Sequence, residues 1–192
     1  MMTKDLKLNL GCGQNLKEGY TNVDKFGEPD VKTDLECFPW PFEDSSVDEI
    51  ELNHVLEHLG QTPDIFLNIM KEMYRISKNQ AVIKITVPHP RHDDYMNDPT
   101  HVRPITPVLM SLFSKQKNRE WAEKGQANSP LALFLDVDFE ITSLEQRLDE
   151  AVSHKLEKKQ ITESQLPEMA RSFNNIVREF YIELKAVKPS ES

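Results

Sequence analysis

The feature that most constrains the fold of this chain is a short apolar segment that ends in a glycine turn, Leu8–Gly13 (LNLGCG). Glycine has no Cβ and tolerates positive φ, so a Gly-x-Gly turn after a strand lets a ligand approach the backbone closely. A second strand-like segment, Thr21–Asp24, follows and ends in an acid. In nucleotide-binding α/β folds such an acid accepts hydrogen bonds from ribose hydroxyls. The two segments together predict a ligand that carries a nucleoside.

A second signal begins at Val47–Asn53 (VDEIELN), which predicts a strand running directly into His54–Leu59 (HVLEHL). Together with the glycine turn, these segments closely resemble the class I S-adenosylmethionine-dependent methyltransferases, especially their small single-domain members. The resemblance covers roughly residues 6–90 and rests on an ordered set: the glycine turn, Asp24, Asp34-Leu35, Asn53-His54 and Val55–His58.

The resemblance implies an α/β fold, a Rossmann-like, doubly wound and mostly parallel seven-stranded sheet with an antiparallel edge strand. The alternation of strand and helix patterns also favours a parallel sheet. We expect residues 1–192 to form a single S-adenosylmethionine-binding domain, with 91–135 as a substrate loop or cap region. The predicted strands are 6–10, 21–24, 31–33, 47–53, 81–87, 139–147 and 176–187, and the predicted helices begin after Thr62 and Thr106 and cover 150–160 and 162–174.

By this resemblance the cofactor is S-adenosyl-L-methionine, with S-adenosyl-L-homocysteine as the product. The N–H groups of Gly11 and Gly13 would lie near the methionine carboxylate, and Asp24 would accept from the ribose hydroxyls. One departure concerns the methionine end, because Asn9 stands where an acid often precedes the glycine turn. The implied cofactor-binding residues are Gly11, Cys12, Gly13, Asp24, Asp34, Leu35, Asn53 and His54.

Two competing sites fit the sequence less well. A dinucleotide fingerprint needs a third small residue after the glycine pair, and Leu16 occupies that position. His54–His58 also spells the inverted zinc-protease motif His-x-x-Glu-His, in which both histidines share a helix face. Gly60 and Pro63 interrupt such a helix almost immediately, so we expect no metal site here.

The segment from His89 to Arg103 holds an unusual density of histidine, arginine and acidic residues. Because it follows strand five, it would border the cofactor methyl group. Three interpretations remain open: an acceptor pocket with a general base and an anion-binding arginine, a divalent metal site, or an internally hydrogen-bonded loop. The acceptor-pocket hypothesis names His101 and then His92 as catalytic residues, and Arg91, Asp94, Tyr95 and Arg103 as substrate-binding residues.

The net charge, the apolar segments and the cysteines restrict the classes of partner and the compartment. A net charge of −9 opposes general binding to phosphate backbones, so we expect no nucleic-acid partner. No segment approaches the roughly 20 apolar residues of a membrane span, and Cys12 and Cys37 form no disulfide framework. These features predict a soluble cytoplasmic protein, and they do not indicate its oligomeric state.

The leading hypothesis is methyl transfer to an oxygen or nitrogen atom of a small molecule or glycan. Two alternatives stay open: a non-catalytic relative that binds the cofactor as a regulatory or partner subunit, and a protein or nucleic-acid methyltransferase that needs a partner chain.

Overall fold

A seven-stranded sheet organises the residues that the computed structural model describes, 5–189. Its strands are β1 (Lys7–Leu10), β2 (Thr21–Asp24), β3 (Val31–Lys32), β4 (Val47–Asn53), β5 (Ser77–Pro88), β6 (Phe139–Leu148) and β7 (Val177–Ala186). The strand order is β3-β2-β1-β4-β5-β7-β6. Strands β1 to β5 pair in parallel, whereas β7 is antiparallel to both of its neighbours, β5 and the edge strand β6. The predicted fold class is therefore confirmed.

Within residues 5–189 the helices all follow β4: one longer helix lies between β4 and β5, and short helices follow β5 and β6. The helices are α1 (Pro63–Ile76), α2 (Asp93–Met96), α3 (Pro107–Ser111), α4 (Lys115–Glu123), α5 (Leu131–Leu135), α6 (Glu150–Glu157) and α7 (Leu166–Ser172), with 3₁₀ turns at Leu56–His58 and Glu163–Gln165. Helix α1 begins as predicted, with a proline at its first position, where no intrahelical N–H bond is lost. Within residues 5–189, none of the helices has both the length and the apolar character needed to cross a membrane.

The two faces of the sheet differ sharply in polarity. Ile83 and Leu184 pair across β5 and β7 on a fully buried face, against which α1 and α3 pack. On the other face Glu51 lies beside Lys84, and Lys84 beside Glu183. Strict alternation of this kind is typical of a sheet with one solvated face. The connection between β1 and β2, residues 11–20, forms only turns, because it is too short for a regular crossover helix.

Several local predictions are corrected. Strand β5 begins at Ser77, earlier than expected, because Ser77 pairs with Val47 as soon as α1 ends. The helix predicted after Thr106 ends at Ser111, and Val108 on it is exposed to solvent. Helices α4 and α5 form within 115–135, where the sequence predicted none. Asn118 joins them, because its Oδ1 accepts the Ala132 N–H at 3.0 Å.

Candidate active site

The glycine turn lies at the carboxyl end of β1 and packs closely beneath Val55. Gly11 has φ +67°, and a Cβ at this position would lie 2.5 Å from Val55 Cγ1, so only glycine fits. The N–H groups of Gly11 and Cys12 donate to the Val23 carbonyl, at 2.8 and 3.1 Å, and the Gly13 N–H donates to Asp24 at 2.8 Å. The contact of these glycine N–H groups with a methionine carboxylate stays a prediction, and in this structure the N–H groups are engaged within the protein. The turn supplies clearance.

The Asp24 carboxylate is held at the end of β2 by two backbone donors. Oδ2 accepts from Gly13 and Oδ1 accepts from the Phe26 N–H, each at 2.8 Å. Each oxygen keeps a further lone pair, since a carboxylate accepts about four hydrogen bonds. A rigid carboxylate of this kind can receive two neighbouring hydroxyl groups.

A first cavity of about 270 Å³ opens beside Asp24 at the carboxyl edge of the sheet. Asp34, at its far end, accepts the Glu36 N–H at 3.0 Å and contacts Lys25 Nζ at 3.4 Å. The wall is mainly apolar and carries a few polar groups, a composition typical of small-molecule sites. The lining comprises Gly11, Asp24, Lys25, Phe26, Thr33, Asp34, Leu35, His54, Val55, His58 and Leu59.

A second cavity of about 240 Å³ lies on the other side of Gly11, which lines both. It is more polar, and Lys17 and Glu51 form an ion pair in its wall. Sequence reasoning missed both residues. The alternation of β4 could have identified Glu51, because it shares a face with Asn53 two positions later. The lining comprises Asn9, Gly11, Cys12, Asn15, Leu16, Lys17, Glu51 and Asn53.

Asn9 is buried beneath this second cavity and acts as a donor. Its Nδ2 donates to the Asn15 carbonyl and to Asn22 Oδ1, both at 2.9 Å. The same Asn22 oxygen accepts the Lys17 N–H at 2.7 Å, so the network also fixes the backbone that carries the Lys17 side chain. A carboxylate in place of Asn9 would face two acceptor oxygens without a proton to give.

His54 stands between two carboxylates where β4 ends. Its Nδ1 lies 3.4 Å from Glu57 and its Nε2 lies 2.9 Å from Glu179, which Arg147 also contacts at 2.6 Å. Hydrogen bonding to Glu57, opposed by burial and aided by the charges of both carboxylates, raises the pKa of His54 above its ordinary value of 6.5. Its backbone has φ +54°, a strained conformation outside glycine.

His101 folds back from the long loop onto the end of β4. Its Nδ1 donates to the Tyr95 carbonyl at 2.8 Å, and its ring stacks on Tyr95 with centroids 5.1 Å apart. The ring also meets the edge of His58 at 4.5 Å. Because Nδ1 is the donor, Nε2 carries the free lone pair.

The structure does not support the assignment of His92 as the second candidate base. His92 is only 5% exposed, and both ring nitrogens are engaged: Nδ1 accepts the Asp94 N–H at 3.1 Å and Nε2 contacts Asp149 at 3.2 Å. It therefore caps α2 and joins it to the start of α6, and it has no lone pair left for an acceptor.

The candidate substrate-binding residues are mostly tied to protein partners. Arg91 donates to the carbonyls of Arg171 and Phe173, at 2.9 and 2.8 Å. Asp94 pairs with Arg178 at 2.8 Å. Tyr95 packs on His101. This segment is thus largely the internally hydrogen-bonded loop that the sequence left open, and the anion-gripping role of Arg91 is not supported.

Arg103 is likewise occupied. Its Nη2 donates to the Gly60 carbonyl at 2.8 Å, and its guanidinium lies 4.5 Å from the Phe66 ring centroid. Arg103 holds the loop against the start of α1. These contacts account for an arginine at this position without a bound substrate. None of the cavity-lining residues named above belongs to 91–104.

Comparisons with known proteins agree on the fold. No protein-family model and no curated protein matches the sequence. An S-adenosylmethionine-dependent methyltransferase from Archaeoglobus fulgidus matches with a TM-score of 0.59 at 18% identity, over 94% of this chain and 86% of that one. One from Methanosarcina mazei matches with a TM-score of 0.55 at 15% identity, over 98% and 95%. The chain is thus similar to these enzymes in fold.

Proposed function

We propose that this chain, which has the fold of class I S-adenosylmethionine-dependent methyltransferases, binds S-adenosyl-L-methionine and transfers its methyl group to an oxygen or nitrogen atom of a small molecule or glycan. The observation that carries the proposal is the pair of cavities that meet over Gly11, with the fixed Asp24 carboxylate in the first. A nucleoside and an amino acid joined through one sulfur need two such compartments on either side of a close turn.

The first cavity suits the adenosine half. Asp24 would accept from the two ribose hydroxyls, because both of its oxygens are aimed and retain lone pairs. Asp34 would accept from the adenine amino group, with Leu35 beneath the ring. Lys25 contacts Asp34 loosely at 3.4 Å and can turn away to solvent.

The second cavity suits the zwitterionic methionine end. Glu51 would take the ammonium group and Lys17 the carboxylate, so that the ion pair now formed between them opens around the ligand. This arrangement replaces the acid usual before the glycine turn, where Asn9 instead holds the backbone of Lys17 in place. Asn53, exposed at the end of β4, completes the wall.

The methyl group would then lie near Gly11 and His54, at the carboxyl edge of the sheet. Because a sulfonium methyl is already activated, the main contribution of the protein is to align the acceptor in line with it. We propose that His101 acts as the base for a hydroxyl acceptor, through the free lone pair of its Nε2 atom. The net charge of −9 favours a small or cationic acceptor over a polyanion.

Asp24→Ala tests the cofactor assignment. Titration calorimetry with S-adenosylhomocysteine should show binding weakened about 10- to 100-fold, the usual worth of hydrogen bonds to a charged group. Asp48→Ala is a matched control. Asp48 also accepts a backbone N–H, that of Leu6 at 2.9 Å, but it lies at the amino end of β4 and lines neither cavity. If both variants bind equally well, Asp24 does not hold the ribose and the assignment fails.

Transfer of a labelled methyl group tests the acceptor class. With a mixed extract as the acceptor source, label should appear in the small-molecule or glycan fraction. Label in protein or nucleic acid would contradict the proposed acceptor. Full cofactor affinity with no transfer to any fraction would favour the non-catalytic relative.

A further inference from the structure

We propose that Glu57, His58 and His101 form a binding site for one divalent transition-metal ion next to the first cavity. Each of the three side chains offers one ligand atom, and these atoms all lie within 4.8 Å of one another. Glu57 and His58 come from the 3₁₀ turn after β4, whereas His101 comes from the loop after β5. The proposed metal site does not depend on the proposed function. The two share one residue, His58, which also lines the first cavity.

The Glu57 carboxylate is the strongest sign that a cation belongs here. It is 1% exposed, and its Oε2 has no hydrogen-bond partner among the described residues, while its Oε1 has only a long contact of 3.4 Å with His54 Nδ1. A buried carboxylate with so little pairing is costly, because the hydration that it loses is only partly replaced. Arg103 makes no ion pair with it within residues 5–189, since its guanidinium is held on Gly60 and Phe66.

Hydrogen bonds prepare both histidines as ligands through Nε2. His101 donates its Nδ1 proton to the Tyr95 carbonyl at 2.8 Å. His58 Nδ1 lies 2.9 Å from the Thr100 hydroxyl, which itself donates to Asp98 at 2.6 Å. That hydroxyl has therefore spent its proton on Asp98 and must accept from His58, which fixes the Nδ1–H tautomer. Metal-bound histidines almost always show such a bond from the other ring nitrogen.

The ligand set selects the class of ion. Two imidazole nitrogens and one carboxylate suit zinc, cobalt, nickel or iron(II) better than calcium or magnesium, which favour oxygen ligands. Ligands at about 2.1 Å from a tetrahedral ion stand about 3.4 Å apart, so the atoms need to close by roughly an ångström. Asp98 Oδ2, 3.9 Å from His101 Nε2, is near enough to join as a fourth ligand.

An ion here would fasten the loop after β5 to the end of β4. The present links include two backbone bonds, from the N–H groups of Val102 and Arg103 to the Glu57 carbonyl at 2.9 and 3.3 Å, and the contact of His58 with Thr100. An ion would also occupy the lone pair of His101 that a general base needs. The base role that we propose for His101 therefore belongs to the metal-free chain. The sequence left a divalent metal open for the segment from His89 to Arg103, but it did not join that segment to Glu57 and His58, because no sequence pattern shows that His101 returns to His58.

Cobalt titration of the full chain, stripped with chelator and dialysed, tests the proposal. We expect Co²⁺ to bind with one-to-one stoichiometry and to give visible absorption bands of a low-coordinate site with nitrogen ligands, and Zn²⁺ to displace it. His58→Gln, His101→Gln and Glu57→Gln should each weaken binding at least roughly tenfold. His154→Gln is the matched control, since His154 is an exposed histidine on α6 and lines a separate surface pocket.

Three outcomes would overturn the site: no stoichiometric Co²⁺ binding, binding that survives both His58→Gln and His101→Gln, or equal loss in the His154→Gln control. If a cluster variant fails to fold, nitrogen NMR of wild-type histidines decides, because Zn²⁺ should shift Nε2 of His58 and His101 and leave His154 unchanged. S-adenosylhomocysteine affinity is measured in the same samples. Its loss alone would count against the proposed function, and failure of Co²⁺ binding alone would count against the metal site.

Discussion

At the scale of single residues, the site depends on which polar groups are already satisfied. The N–H groups of Gly11 and Gly13, expected to be donors, are used within the turn, and His92 is used within the loop. Lys17 and Glu51 instead pair with each other at a partly exposed position, with side-chain exposed fractions of 39% and 22%, and a ligand with both charges could replace each partner. Sequence patterns reveal residue types but not hydrogen-bond partners, so these assignments could be made only from the structure.

The Lys17–Glu51 pair can be tested with two ligands that share a nucleoside. Glu51→Gln and Lys17→Met should each weaken S-adenosylhomocysteine binding about tenfold or more, the usual worth of a charge-assisted hydrogen bond. Neither should change the affinity for 5′-methylthioadenosine, which lacks the amino acid. Lys78→Met, which breaks the ion pair with Asp48 at the amino end of β4, should leave both affinities intact, because neither residue lines a cavity described above. Equal losses for the two ligands would show that the pair acts through the fold.

At the scale of elements, periodicity predicted the sheet better than it predicted the connections. Strands β2 and β4 have the bounds expected from their sequences. A strand with one buried face alternates apolar and polar residues, so its length can be read from the sequence. The region 91–135 carries no such period. Its order comes from distant bonds, such as that of the Asp93 N–H to Asn175 at 2.9 Å. Contacts across 82 positions leave no local sequence pattern, so α2, α4 and α5 were not predicted.

The attachment of this loop to β7 should depend on pH through His89. Its N–H donates to the Arg178 carbonyl at 2.8 Å, and its ring packs on Phe180 at 4.9 Å between centroids. Burial first, then the charges of Arg91 and His92, lower the pKa of His89 below 6.5. The folded state thus binds fewer protons than the unfolded one, so this contribution is complete above pH 6.5 and is lost as pH falls through the lowered pKa.

Urea unfolding at pH 7.5 and pH 5.5 measures whether the free energy of unfolding falls on acidification, as the lowered pKa of His89 predicts. Wild type should lose more stability on acidification than His89→Asn, whose amide oxygen can still accept the Arg91 N–H that Nδ1 accepts at 3.1 Å. His154→Asn controls for the general effect of replacing a histidine. A steeper loss in His89→Asn than in wild type would mean that the imidazole is stabilised in its charged form.

At the scale of the whole molecule, the fold and the acidic surface both followed from the sequence, whereas the acceptor did not. The ordered motifs predicted the mostly parallel sheet, and the solved methyltransferases confirm it at identities of 18% and 15%. At such identities the likeness shows the fold and leaves the acceptor open. The loop after β5 is held by contacts that are distant in the sequence, such as that of Arg91 with the Arg171 carbonyl.

A global consequence of the two cavities is that the right ligand should stabilise the entire domain. A ligand at one hundred times its Kd adds about 2.7 kcal/mol to the free energy of unfolding. For a domain of this size that corresponds to a rise in Tm of about 5–10 °C. S-adenosylmethionine and S-adenosylhomocysteine should both produce it in scanning calorimetry. NAD should not, because Leu16 replaces the small residue that a dinucleotide site needs. A clear rise with NAD and none with either sulfur ligand would show that the cavities hold a dinucleotide instead.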